Sequence, residues 1–518
     1  MNTRSVAAAI ILLGTTAIAS TAAANNLTRV ATVPLEAEIT GLFEHGPDLF
    51  FNVQHPKKDL GNKFSRATVG VISNVNWAAT EQAVPTDEAG KSTVLSTLGD
   101  YQALLQEGDV GVIKSKGGKH LLASNDPDFN GFLPTGANQG YLFTNWENRP
   151  GGMSRALLTR GNDGNWSADK NRVTMLDFSA VNGTWVNCFG TMSPWNTPLS
   201  SEELYFDDTA DWNNPEYKYI DDIKVLAAYL EGTYPNPYDY GYNVEITDPT
   251  GKAKPVKHFA MGRFSHENAV VMPDNKTVYM SDDGTGTVFY KFVADTAGDL
   301  SAGTLYAAKA TQMDKAGAPS ADTSLQISWI ELAHGSDSEI AGWVRNYDGI
   351  GLDDYKAGET NYISDANVAA WAAGDAADNR VAFFESRRAA VIKGATGEFR
   401  KMEGVNINYA GAADGSVPYM YMAMSSIDKT MSDGKGDIDL AENKCGVVYE
   451  MKLDANFNIS KMIPAVSGHG YNKENKPNAC PIDSISNPDN VLVRADGSVV
   501  IGEDTGNHEN NAIWIYKR

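Results

Sequence analysis

The stretch NCFGTMSPWNTPLSSEE, running from Asn187 to Glu203, decides the reading of this chain. It sets one thiol, Cys188, ahead of an acidic pair, Glu202-Glu203, with a Pro-Trp turn between them. A lone cysteine is most often a small buried hydrophobe. Beside two carboxylates it becomes a candidate metal ligand, because thiolate and carboxylate together suit a transition metal.

Outward from this stretch the rhythm is β. Residues 277–281 and 287–293 alternate around Asp282-Asp283-Gly284, and 491–493 and 498–502 around Ala495-Asp496-Gly497. Residues 446–453 and 512–516 read as further strands. There is no series of long amphipathic helices and no strand–helix alternation. An alanine-dense stretch at about 365–378 predicts a short helical insertion. The spacing suits a β-propeller, whose blades are four-stranded sheets, and equally a large β-sandwich. Length admits one large domain or two to three ordinary ones. No Pro/Ser/Gly linker divides the chain, so residues 25–518 read as one domain.

The first 24 residues read as a secretory signal. Arg4 precedes an apolar core at 6–18, and Ala22-Ala23-Ala24 offers a cleavage site. One arginine points to the general secretory route rather than twin-arginine export. The apolar run is too short to span a bilayer, and no later segment is a candidate. The expectation is a periplasmic or secreted protein without a membrane anchor. A formal charge of −22 argues against nucleic acid and anionic membranes as partners. It disfavours an anionic substrate too, unless bound cations reverse the local field. Of the three cysteines, Cys445 and Cys480 lie close in sequence and pair as a disulfide, which leaves Cys188 free.

The Cys188–Glu203 stretch resembles a motif of the PhoX-type alkaline phosphatases, metal-dependent phosphomonoesterases built on a β-propeller. Further blocks resemble the same family in the same order: NDPDFNGFLPTG with YLFTNWEN (125–148), GRFSHENAVV (262–271) followed by VYMSDDGTGTVFYKFV, FRKMEGV (399–405) and SNPDNVLV (486–493). The resemblance implies a single, six-bladed all-β propeller with short helical insertions, acting as a monomer on a small phosphate monoester. It implies that Cys188, Glu203, Glu267, Glu403 and Asp489 bind iron (Fe³⁺) and calcium, with Asn125 and Glu147 in a further calcium region. One block is out of order. AEITGLFEHGPDLFFNVQHP (37–56) is similar to a segment that closes the last blade in the family, so residues 49–53 are expected to share a sheet with 513–516.

The expected chemistry follows. Hard oxygens suit Fe³⁺ and Ca²⁺, and a thiolate adds charge donation. Lys401, with Arg263, is the candidate cation for the substrate's non-bridging oxygens. The family is expected to carry Arg at 401, so an ammonium there gives up the bidentate fork. Trp146 stands where the family motif has His, and His266 is a candidate to orient Glu267. Residues 126–131 begin like an EF-hand loop but have Ala137 at the twelfth position, and 433–439 lack the sixth-position glycine. Two other readings stay open at this point. One is a non-catalytic propeller stapled by metals. The other is a calcium-dependent propeller hydrolase acting on a different ester. Cys188 separates them, since a calcium staple has no use for a thiolate.

Overall fold

The structure, a computed structural model, describes residues 26–78, 80–203 and 209–518; the leader read at 1–24 lies outside them. Strands dominate, as the turn rhythm predicts, and they form antiparallel ladders. The strands Glu38–His45, Pro127–Gly136, Asn187–Met192, His266–Val271, Met402–Ile407 and Pro488–Val493 each open an antiparallel meander of at least four strands. Each of these opening strands packs against the opening strands before and after it, and the last packs against the first. A closed ring of inner strands is a propeller and excludes the sandwich.

Both faces of a blade are therefore covered, and the sequence shows it. In Tyr419–Met424, the side chains of Met420, Met422 and Met424 enter one core cluster while Tyr421 and Ala423 enter the next. The period of two places alternate residues on opposite faces, and here both faces are apolar.

The ring closes through the N-terminus, but not by the segment expected. Leu27–Thr32 pairs with Ala512–Tyr516 in register Leu27↔Tyr516 to Thr32↔Ala512. Residues 49–53 sit in a different sheet. Their strand, Asp48–Gln54, has Glu38–His45 on one edge and Thr68–Ile72 on the other, so no edge is left for the C-terminal strand. The first and last blades meet face to face, with Ile39, Val53, Val500 and Ile513 in one apolar cluster.

Removing residues 26–33 should leave Ala512–Tyr516 with a bare edge. We expect a lower unfolding temperature and concentration-dependent aggregation, because an unpaired strand is a template for other chains. Light scattering during a thermal ramp checks this; unchanged unfolding would mean that the strand is dispensable to closure.

The helical insertion is larger than residues 365–378. Asp337–Val344, Asp365–Ala373, Arg380–Phe384 and Ser386–Ile392 lie between the fourth and fifth meanders. The Asp365–Ala373 helix starts at a Ser364 cap and stops at Gly374, whose φ of +84° suits glycine. No helix of the described residues is long and apolar enough to cross a membrane. Cys445 and Cys480 form the disulfide, with Cα atoms 6.0 Å apart, and Cys188 is free and buried.

Candidate metal centre

The site grows from one geometric rule repeated around the ring. In each meander the first residue of the inner strand pairs with the last residue of the second strand. The pairs are Glu38↔Gln54, Pro127↔Trp146, Asn187↔Glu202, His266↔Asp282, Met402↔Met424 and Pro488↔Glu503. In all but the first, the register slips immediately beyond that pair. A bulge re-aims the residue that follows. The residues so re-aimed are Asp128, Cys188, Glu267, Glu403 and Asp489. The residues directly after the second strands are Glu147, Glu203, Asp283, Ser425 and Asp504, with His55 in the first meander.

These side chains converge. Ligand atoms of Asp128, Glu147 and Cys188 lie within 4.8 Å of one another, as do those of Cys188, Glu203 and Glu267, and those of Glu38, Asp489 and Asp504. Cys188 belongs to two of the groups, so its sulfur stands between them. Its thiol donates to Glu267 Oε2 at 3.1 Å. Glu147 and Glu203 are in hydrogen-bond contact, and so are Glu203 and Asp283. Lys401 Nζ then donates to Asp283 Oδ2 at 2.6 Å and meets Glu403 Oε1 at 3.0 Å.

The electrostatics match this crowding. Burial, reinforced by neighbouring carboxylates, holds Glu38, Asp128, Glu203, Glu267 and Asp489 well above the usual carboxylate range. The same causes push Glu403 up to about 7 and the Cys188 thiol well above its ordinary value. Lys401 is raised too, which for an amine keeps the charge. Burial opposes its charge, but Asp283, Glu403 and Glu203 outweigh it and hold the ammonium protonated. Asp283, likewise buried, is kept below its ordinary value by Lys401. Among the described residues, nine acids and one thiol thus face one ammonium, with His55 on Glu38 Oε2 at 2.9 Å. Asp128 Oδ1 and Asp283 Oδ1 are buried without a hydrogen-bond partner. Buried carboxylate oxygens in that state call for cations. The donor set fits metal ions: oxygens for hard ions, and one thiolate at the junction of two groups.

Second contacts fix several members. Ser425 Oγ donates to Glu403 Oε1 at 2.7 Å, Asn490 Nδ2 to Asp489 Oδ1 at 2.6 Å, and Gln54 Nε2 to Glu147 Oε2 at 3.0 Å. Lys401 has a φ of +50°, an uncommon conformation for a residue with a side chain. Its N–H donates to the Gly284 carbonyl at 2.8 Å and its carbonyl accepts from Ser425 N–H at 3.1 Å.

The acidic pairs have a division of labour. Glu202, Asp282 and Glu503 turn inward and accept the backbone N–H of Trp185, Ser265 and Ser486 respectively. The second acid of each pair, Glu203, Asp283 and Asp504, joins the cluster. The sequence reading found Cys188, Glu203, Glu267, Glu403, Asp489 and Glu147, which the structure brings together. It missed Glu38, Asp128, Asp283 and Asp504. The doublets Asp282-Asp283 and Glu503-Asp504 repeat Glu202-Glu203 at the same strand position and were the available signal. Asp128 lies inside the stretch set aside as a failed EF-hand loop.

Two expectations change, those for Arg263 and His266. Arg263 is internal rather than substrate-facing: its Nε donates to the carbonyls of Pro237 and Tyr240 at 3.1 and 3.0 Å, its Nη1 to that of Phe384, and it is 2% exposed. His266 does not orient Glu267. Its Nδ1 accepts from Asn243 and its Nε2 donates to the Gly262 carbonyl, and burial pushes its pKa down to about 3, so the ring is neutral. Trp146 is a core side chain whose Nε1 donates to Ser154 Oγ at 2.9 Å. Asn125 sits half-buried on the loop three residues ahead of Asp128, and Asp128 approaches Cys188.

A family profile described as "Alkaline phosphatase PhoX" matches residues 157–516. Among solved structures, PhoX of Pseudomonas fluorescens in complex with vanadate, a transition state analogue, is similar at 21% identity. It covers 76% of this chain and 77% of its own, with a TM-score of 0.53. A Trichoderma reesei carbohydrate-active enzyme of family AA12, a calcium structure, covers 94% of each chain at 8% identity and a TM-score of 0.38. Among curated proteins no match is found.

Proposed function

The chain belongs to the PhoX alkaline phosphatase family, whose members are phosphoric ester hydrolases, and on that premise we propose that it hydrolyses small phosphate monoesters at an iron and calcium centre. The observation that carries this reading is Cys188, shared by two ligand groups in a ring of carboxylates that also holds Lys401. Asp128, Glu147, Cys188, Glu203 and Glu267 form the side suited to iron, because the thiolate lies there. Glu38, Asp489 and Asp504 form an all-oxygen side suited to calcium. Bound metal ions would supply the positive charge and the activated oxygen that phosphoryl transfer needs.

The chain's own residues do the rest. The carboxylates, uncompensated, would repel a phosphate; the same charge makes them ligands. Lys401 is held between Asp283 and Glu403 with its side chain 30% exposed, so one N–H remains to meet a non-bridging oxygen. Ser425, Asn490 and Gln54 fix the carboxylates they touch and leave the ring little freedom to collapse on itself. The disulfide supports an oxidising compartment, which agrees with the leader read at residues 1–24. We take the protein to work as a monomer outside the cytoplasm, on a six-bladed propeller; the closed ring of inner strands supports that count.

Replacing Lys401 by alanine should cost about ten- to a thousandfold in turnover with metals retained, the range expected for one oriented donor. Lys401→Arg should keep most of the activity or raise it by restoring the fork. Steady-state kinetics with an aryl phosphate, alongside metal analysis, check both. Vanadate should inhibit. Wild-type protein that holds both metals yet turns over no phosphate ester at any pH would leave the scaffold reading instead.

A further inference from the structure

We propose that Arg387, on the helical insertion, is a positioning residue for Lys401, and that the insertion thereby sets how tightly the site holds phosphate. The inference rests on the phosphatase reading above and deepens it. Arg387 lies on the Ser386–Ile392 helix, more than a hundred residues from the strand it serves. Its guanidinium forks onto Asp282: Nε donates to Oδ2 at 2.8 Å and Nη2 to Oδ1. Nη2 also donates to the carbonyl of Asp283 at 2.9 Å.

That carbonyl is the decisive contact. Asp283 is the residue whose carboxylate holds Lys401, at 2.6 Å. The next carbonyl, of Gly284, accepts the Lys401 N–H at 2.8 Å and Arg400 Nη1 at 3.1 Å. The 283–284 turn is therefore gripped from two sides. Arg387 holds it from the insertion, and Arg400-Lys401 hold it from the strand that carries Glu403. Asp282 itself is wholly buried and accepts Ser265 N–H at 3.2 Å and Val288 N–H at 3.1 Å. It fixes the start of the strand that bears Glu267 as well.

The equivalent acids of other blades are neutralised locally. Glu202 takes Lys257 from its own sheet at 3.0 Å, and Glu503 takes His508, five residues on, at 3.0 Å. Asp282 takes its cation from the insertion. Gly284 leaves room for it: a Cβ there would stand 3.4 Å from Arg387 Nη2, at a φ of +139°. Loss of the guanidinium should free the Asp283 carbonyl and let the ammonium drift from the phosphate position.

The test is a double-mutant cycle on full-length protein: wild type, Arg387→Gln, Lys401→Gln and the pair, with Arg387→Lys as the variant that keeps charge without the fork. KM and kcat for an aryl phosphate, binding of inorganic phosphate by calorimetry, and iron and calcium content are measured on each. The expected result is a roughly tenfold or greater weakening of phosphate binding and a matching rise in KM for Arg387→Gln, as for loss of an outer-sphere partner. Metal content should change much less, kcat should fall in the same direction as for Lys401→Ala but by a smaller factor, and Arg387→Lys should fall between. The pair should bind phosphate no more weakly than Lys401→Gln alone. Additive losses, or activity that falls in step with metal content, would overturn the proposal. A wild type that binds phosphate without turning over esters would refute the phosphatase reading, and the cycle in phosphate binding would still decide the role of Arg387.

Discussion

Cys188→Ala should reduce phosphatase turnover to background and strip iron from the protein, while the propeller stays folded. The argument is one of shared ligation. The sulfur is a member of both the Asp128–Glu147 group and the Glu203–Glu267 group, so no carboxylate can replace it in both. Loss of an outer-sphere partner typically costs about 10–100-fold, and loss of a ligand common to two groups should exceed that. The fold should survive because Cys188 lies on an inner strand held by Pro198–Glu202 and by its neighbours in the ring. Elemental analysis, circular dichroism and aryl phosphate kinetics on the same preparation check this. Retention of iron and of most of the activity would remove the thiolate from the centre.

Removing the metals should make stability strongly pH-dependent, and in an unusual direction for acids. Most buried carboxylates are paired and favour the folded state as pH rises. Here burial and mutual repulsion raise the carboxyls, with Glu403 up to about 7 and Glu38, Asp128, Glu203, Glu267 and Asp489 also well above the ordinary range. In that state the folded chain binds more protons than the unfolded one. Stability then falls as pH rises from the ordinary carboxylate range, about 4 to 4.5, through 7. Chelator-treated protein should unfold several degrees higher at pH 5.5 than at pH 8. Metal-loaded protein should show little of this difference, because the ions supply the missing charge. Thermal unfolding at the two pH values, with and without chelator, checks it; a metal-free protein most stable at pH 8 would contradict the crowded-acid description.

The all-β class was legible in the short strands and tight turns, as around Ala495-Asp496-Gly497, but that rhythm suits a sandwich equally, and the propeller came from the family resemblance. The resemblance supplied the Cys188–Glu203 pairing and the lysine at 401. What stayed hidden were positions decided by register rather than residue type. Asp128 and Glu38 look like ordinary strand-edge acids until the slip beyond Pro127↔Trp146 and the Glu38↔Gln54 pair are known. Ring closure was misassigned for a similar reason. Residues 49–53 carry a recognisable motif, but both edges of their strand are filled, and Leu27–Thr32 carries no motif at all. Arg263 looked functional because it precedes Glu267 in sequence. In the fold its partners are carbonyls from Pro237, Tyr240 and Phe384, chain segments that no local pattern connects to it.

The most direct test of the central claim is hydrolysis of an aryl phosphate by the purified full-length protein supplied with iron and calcium, assayed from neutral to alkaline pH beside Cys188→Ala. The account predicts turnover by the wild type, inhibition by vanadate, and background rates for the variant. Equal rates in the two proteins, or no turnover by a wild type shown to contain both metals, would contradict it.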